Sequence, residues 1–143
     1  MGASIIAYWA GITEQQLESQ PGFYNDDRAW ANWMAELGEQ TELSDTVIKL
    51  NAAAILTYKT DPMEDDEVEW VTPQQLRDAA NRLREEVLSE SAAARILLDT
   101  YERGANRLEE TATEFIRDLD DIIAIANWSE TEGATRMTLE VNW

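Results

Sequence analysis

The two ends of the chain carry the hydrophobic patterns of β-strands. Residues 4–9 are β-prone and almost continuously apolar, which is typical of a buried strand. Between 136 and 143 apolar and polar residues alternate, the apolar ones being Met137, Leu139, Val141 and Trp143. This alternation predicts a strand with one face toward the core. Such a strand needs a partner, so we predict that the terminal strands pair, with residues 68–71 as a third, edge strand.

Between the two ends, hydrophobic residues recur every three or four positions, as they do in amphipathic helices. The pattern predicts five or six helices, at about 13–19, from Asn25 to Gly38, at 43–58, from Thr72 through Val87, at 91–103 and at 106–131. The sequence therefore predicts a single helix-dominated α+β domain over residues 1–143, with helices packed on a small sheet.

Local signals mark several of the predicted helix ends. Thr13 with Gln16, and Thr72 with Gln75, have the spacing of capping boxes, and Pro73 favours the first turn of a helix. Gly104 and Gly133 are placed to end the last two helices. The longest helix has an apolar seam that alternates steps of four and three, made by Leu108, Ala112, Phe115, Leu119, Ile122 and Ala126.

The composition removes several classes of function. The chain of 143 residues has no cysteine and no histidine, which excludes disulfide scaffolds, zinc fingers, thiol catalysis and imidazole catalysis. We identify no catalytic residue, and no pattern calls for a cofactor. Six tryptophans, four tyrosines and two phenylalanines favour a packed core over disorder.

The net charge of −18 limits the partners that the chain can bind. Nucleic acids and anionic membranes would repel it, whereas a basic protein would attract it. Acidity also serves solubility, and it suits life at high salt, so composition leaves three explanations open. There is no membrane-length apolar run, and the N-terminus lacks the basic region of a secretory signal, so we expect a cytoplasmic protein.

Charge is densest in residues 61–72, which carry six acidic residues and no basic one. We predict that this segment binds a basic partner, with Trp70 as an aromatic anchor beside the acidic residues Asp65, Asp66, Glu67 and Glu69. A solvated loop is the alternative, and a cation site is a third, although the spacing does not match an EF-hand. Phe23 and Tyr24 follow Pro21-Gly22 in a predicted loop, where they line a ligand pocket, contact a partner or cover the core.

The long helix carries a second group of carboxylates. The spacing of four, four and three places them on one helical face, and they are Glu110, Glu114, Asp118 and Asp121. Such a stripe binds divalent metal in hydrolases when a second helix supplies a matching acidic motif. The alternative is a face in contact with water, because Leu108, Phe115 and Ile122 point toward the core.

Two functional hypotheses follow from these features. The first is a non-enzymatic interaction protein, such as an inhibitor or immunity-type protein, that occludes a basic partner. The alternative is a hydrolase that depends on a divalent metal held by carboxylates alone. Charge density and the absence of the usual catalytic side chains favour the first hypothesis.

Overall fold

A computed structural model describes residues 4–21, 33, 41–57, 70–105 and 111–142. Within these residues the elements are β1 (Ser4–Ala10), α1 (Glu14–Leu17), α2 (Thr41–Lys49), a 3₁₀ helix (Ala53–Thr57), α3 (Pro73–Leu88), α4 (Ala92–Ala105), α5 (Thr111–Thr131) and β2 (Arg136–Asn142). Helices dominate, and the two terminal strands form one antiparallel sheet, which confirms the predicted α+β class.

The sheet joins the two ends of the chain. β1 and β2 are antiparallel, with a register that runs from Ser4 opposite Asn142 to Ala10 opposite Arg136. Val71 adds a single bridge to β2, donating to Met137 O at 3.0 Å and accepting from Met137 N at 2.7 Å. Of the predicted third strand, the described residues contain only this isolated bridge at Val71, and residues 68 and 69 lie outside them.

The two faces of β2 are less different than the alternating sequence suggests. Met137 and Leu139 are buried as predicted, with 0% and 1% of their surface exposed. Thr138 is also only 1% exposed, although its position in the pattern predicts the solvent side. Both faces of the sheet are therefore covered at this point of β2, and one-sided burial is wrong for Thr138.

A tryptophan fixes β1 to the C-terminal part of α5. Trp9 Nε1 donates to Ser129 Oγ at 2.6 Å, and Ser129 Oγ in turn donates to Ile125 O at 2.6 Å. The Trp9 ring also packs edge-on against Trp128, with ring centroids 5.2 Å apart. The sheet is consequently held on the helical layer by a polar contact as well as by apolar burial.

Helices α3 and α5 pack side by side in opposite directions at the centre of the fold. Arg77 pairs with Glu130 at 3.1 Å at one end, and Arg84 pairs with Asp120 at 2.9 Å further along. The predicted inner face of α3 is confirmed, since Leu76, Ala79, Ala80, Leu83 and Val87 are all buried. Trp33 is helical and buried against this core, while the rest of the predicted helix 25–38 lies outside the described residues.

Both predicted capping boxes are present. Thr72 Oγ1 accepts from Gln75 N at 3.1 Å, and Gln75 Oε1 accepts from Thr72 N at 2.9 Å. The same reciprocal pair joins Thr13 and Gln16 at the start of α1. Each box satisfies two backbone donors that a helix start leaves without an internal partner, which fixes where α1 and α3 begin.

The predicted single helix over 43–58 is wrong, because α2 ends at Lys49. Asn51 has a φ of 61°, its N–H bonds to Ile48 O at 2.9 Å, and Ala52 N–H reaches back to Val47 O at 3.0 Å. This is a Schellman C-cap, in which asparagine adopts the left-handed conformation. The alanine-rich stretch that follows begins a separate 3₁₀ helix.

Two other helices show differences at their ends. α1 stops at Leu17 rather than near Ser19, and α4 continues through Gly104 to Ala105 instead of stopping there. Residues 106–110 lie outside the described residues, so the described part of the long helix begins at Thr111. Its end is as predicted, with Gly133 at a φ of 86° in the left-handed conformation.

Glu90 occupies a backbone position that favours glycine. Its φ is 53°, and the bonds from Glu90 N to Val87 O and from Ser91 N to Glu86 O complete a Schellman cap after α3. A residue with a Cβ pays about 1–2 kcal/mol in this conformation, partly offset by the larger unfolded-state entropy of glycine. We expect Glu90→Gly to raise the free energy of unfolding by about 0.5–1 kcal/mol in urea denaturation.

The matched control for this prediction is Glu90→Gln, which removes the same charge but keeps the strained backbone. It is expected to change stability by less than about 0.5 kcal/mol. Equal stabilisation by glutamine and glycine would assign the gain to relief of charge repulsion rather than to the backbone.

Candidate partner-binding surface

Trp70 belongs to the acidic segment 61–72, of which the structure describes residues 70–72. It is half-buried, and the guanidinium carbon of Arg136 lies 5.2 Å from the centroid of its ring, within the range of a cation–π contact. The next residue, Val71, is bonded to β2 in both directions. The backbone beside Trp70 is therefore anchored to the sheet, and the Trp70 ring contacts Arg136 of β2.

Trp70 and Val71 line an open groove of about 580 Å³. Asp78 and Arg82 of α3 line the groove as well, together with Ala54 of the 3₁₀ helix. Arg82 Nη1 donates a hydrogen bond to Asn51 O at 2.8 Å. The groove thus combines an aromatic ring, small apolar side chains, one carboxylate and one guanidinium from three segments of the chain.

The other residues predicted to bind a partner lie outside the described residues. They are Phe23, Tyr24, Asp65, Asp66, Glu67 and Glu69. Of the predicted set, the structure describes Trp70, and it places this residue at the rim of a groove rather than in the core. The acidic residues remain a prediction from the sequence.

The carboxylates of the long helix occupy different environments. Glu110 lies outside the described residues, Glu114 and Asp121 are half-buried, and Asp118 is only 1% exposed. Within the described ranges, no three acidic side chains are grouped so that they could hold a metal ion. The interpretation of this stripe as a face in contact with water is wrong at Asp118.

Asp118 belongs to a buried cluster between α4 and α5. Tyr101, itself 2% exposed, donates its hydroxyl to Asp118 Oδ2 at 2.5 Å. The Tyr101 ring packs edge-on against Phe115 at 5.1 Å, and Phe115 packs in the same manner against Trp33 at 5.3 Å. Trp33 Nε1 donates to Leu97 O at 2.9 Å. These contacts give Asp118 a structural environment inside the core.

The buried seam of α5 contains more polar residues than its apolar pattern indicates. The side chains that face the core are Thr111, Phe115, Asp118, Leu119, Ile122, Ile125, Ala126 and Ser129. The seam is shifted so that Ala112, predicted to be buried, is exposed. The signal that could have revealed this is the spacing of Asp118, three residues after Phe115 and four before Ile122, which places it on the same face.

Comparison with known proteins adds no assignment. The chain matches no protein-family model, no curated protein and no solved structure. No helix in the described residues combines the length and the apolar character that a membrane span requires.

Proposed function

We propose that this chain is a non-enzymatic, cytoplasmic interaction protein that binds the basic surface of another protein and occludes it, as an inhibitor or immunity-type protein does. The observation that carries the proposal is the position of Trp70. It lines an open groove and belongs to the segment with the highest density of negative charge in the chain.

The two parts of this surface would contribute in different ways. The six carboxylates of residues 61–72 would steer a positively charged partner toward the site and raise its association rate. Trp70 would supply an apolar anchor, the type of residue that dominates binding energy at protein interfaces. Because Val71 and Arg136 already restrain Trp70, little side-chain entropy is lost when a partner covers it.

The proposal is tested by binding of a decalysine peptide, measured by isothermal titration calorimetry. The test variant neutralises four acidic residues of the segment by the changes Asp65→Asn, Asp66→Asn, Glu67→Gln and Glu69→Gln. The control neutralises four exposed acidic residues elsewhere by Glu18→Gln, Glu42→Gln, Asp45→Asn and Glu85→Gln. Both variants have the same net charge, so they differ only in where the charge is removed.

We expect the segment variant to bind decalysine about tenfold more weakly than the control variant does, because local charge acts over about one Debye length. Equal weakening in the two variants would mean that the peptide responds to total charge alone. That result would remove the argument for a binding surface beside Trp70.

A further inference from the structure

The pairing of β2 with Val71 shows which way the backbone of β1 points. The N–H and C=O of Met137 both bond to Val71, so they point away from β1. In an antiparallel sheet these groups alternate from one side to the other along a strand. The residues of β1 opposite Met137, Leu139 and Val141 are Trp9, Ala7 and Ile5. The backbone groups of these three residues therefore point away from β2.

This outer edge of β1 receives no hydrogen bond from the described part of the chain. Among the described residues, none bonds to the three N–H and three C=O groups of Ile5, Ala7 and Trp9. Ala7 and Trp9 are only partly buried. A row of this kind is a template for strand pairing.

The sequence of β1 lacks the features that usually protect an edge. Its seven residues, Ser-Ile-Ile-Ala-Tyr-Trp-Ala, include no charged residue and no proline. Charged residues make up 28% of the chain, so about two would be expected in a segment of this length. Edge strands that remain unpaired are commonly blocked by lysine, proline or a bulge.

We propose that β1 pairs antiparallel with β1 of a second copy of this chain, forming a symmetric dimer with a continuous four-stranded sheet. With Ala7 opposite the second copy's Ala7, Ile5 lies opposite the second copy's Trp9. All three outward residues of each copy then form hydrogen-bonded pairs, which satisfies every outward group in six bonds.

A second copy fits this edge better than a basic protein does. The edge carries no charge, so a positively charged strand gains no attraction there, whereas self-pairing brings uncharged residues together. Ala7 at the twofold axis allows close approach of the two strands. Repulsion between two chains of net charge −18 opposes dimer formation, and salt screens this repulsion. This dimer is independent of the proposed partner and of the acidic segment.

The first test is sedimentation equilibrium of the full chain in about 0.1 M and about 1 M NaCl, between which the Debye length falls from about 10 to about 3 Å. We expect a monomer–dimer equilibrium whose dissociation constant decreases about tenfold at the higher salt concentration.

The variant Ala7→Pro tests the pairing itself, because it removes the central outward N–H. An edge strand accommodates proline at such a position, so we expect the dimer to be weakened at least about tenfold. Ala7→Ser keeps the N–H and should leave the dimer intact.

Amide hydrogen exchange followed by NMR provides a second measurement that needs no substitution. In dilute protein the outward amides of Ile5, Ala7 and Trp9 should exchange quickly while those of Ile6 and Tyr8 remain protected. In concentrated protein all five should be protected. A chain that stays monomeric up to about 1 mM at both salt concentrations would overturn the proposal. So would equal dimer affinities of the proline and serine variants, or protection of the outward amides in the monomer.

Discussion

Replacing Phe115 with alanine is expected to lower the free energy of unfolding by about 3–5 kcal/mol. Phe115 is fully buried and lies between the rings of Trp33 and Tyr101, which it contacts edge-on at 5.3 and 5.1 Å. Truncation would remove the ring from the core and leave a cavity that helices α4 and α5 close only in part. Urea denaturation followed by circular dichroism measures the loss.

Leu88→Ala is the matched control, because Leu88 is a large apolar residue with 57% of its surface exposed. It is expected to change the free energy of unfolding by less than about 1 kcal/mol. If Phe115→Ala cost no more than this control, the aromatic cluster would not be part of the packed core.

The second large effect is expected for Tyr101→Phe, which removes one hydroxyl from the core. That hydroxyl donates to Asp118 Oδ2 at 2.5 Å, and both residues are almost fully buried. Removing the donor of a buried hydrogen bond costs about 1–3 kcal/mol. We expect a loss of stability in this range with little change of secondary structure.

A double-mutant cycle separates the hydrogen bond from a simple change of packing. In an Asp118→Ala background, Tyr101→Phe should cost much less than it does in the original chain, giving a coupling energy of about 1 kcal/mol or more. Additive effects would show that the hydroxyl contributes to stability by another route than through Asp118.

The parts of the fold that were predictable are those in which two local signals agree. α3 has both a capping box at Thr72 and apolar residues at helical spacing, and the structure has the predicted start and the predicted buried face. The residues at 43–58 also have helical spacing, but the left-handed conformation of Asn51 divides them. Helix propensity alone does not reveal such a break, because the cap depends on Ala52 packing back toward Val47.

The hydrogen-bond partners of the polar core residues were not predictable, because they are distant in sequence. Ser129 is buried beside Trp9, 120 residues away, and Asp118 is buried beside Tyr101, 17 residues away. From sequence, a polar side chain on an otherwise apolar face is predicted to be exposed unless its partner is known. These contacts fix the position of α5 against β1 and α4. The hydrophobic periodicity of the sequence does not predict them.

The candidate surface was predictable in charge but not in shape. The acidic run at 61–72 and the aromatic residue within it are visible in the sequence. The groove is not, because Trp70, Ala54 and Asp78 come from three segments that only the fold brings together. The sequence therefore gives the charge of the segment, and the structure adds the groove that Trp70 lines.

The most direct test of the account is the location at which decalysine binds, followed by two-dimensional ¹H–¹⁵N NMR. If the surface beside Trp70 is the binding site, the Trp70 indole N–H and the amides of residues 61–71 will show the largest shifts. The exposed acidic positions Glu18 and Glu85 will shift much less. Shifts of similar size at all acidic positions, with the Trp70 indole unchanged, would contradict the proposed function.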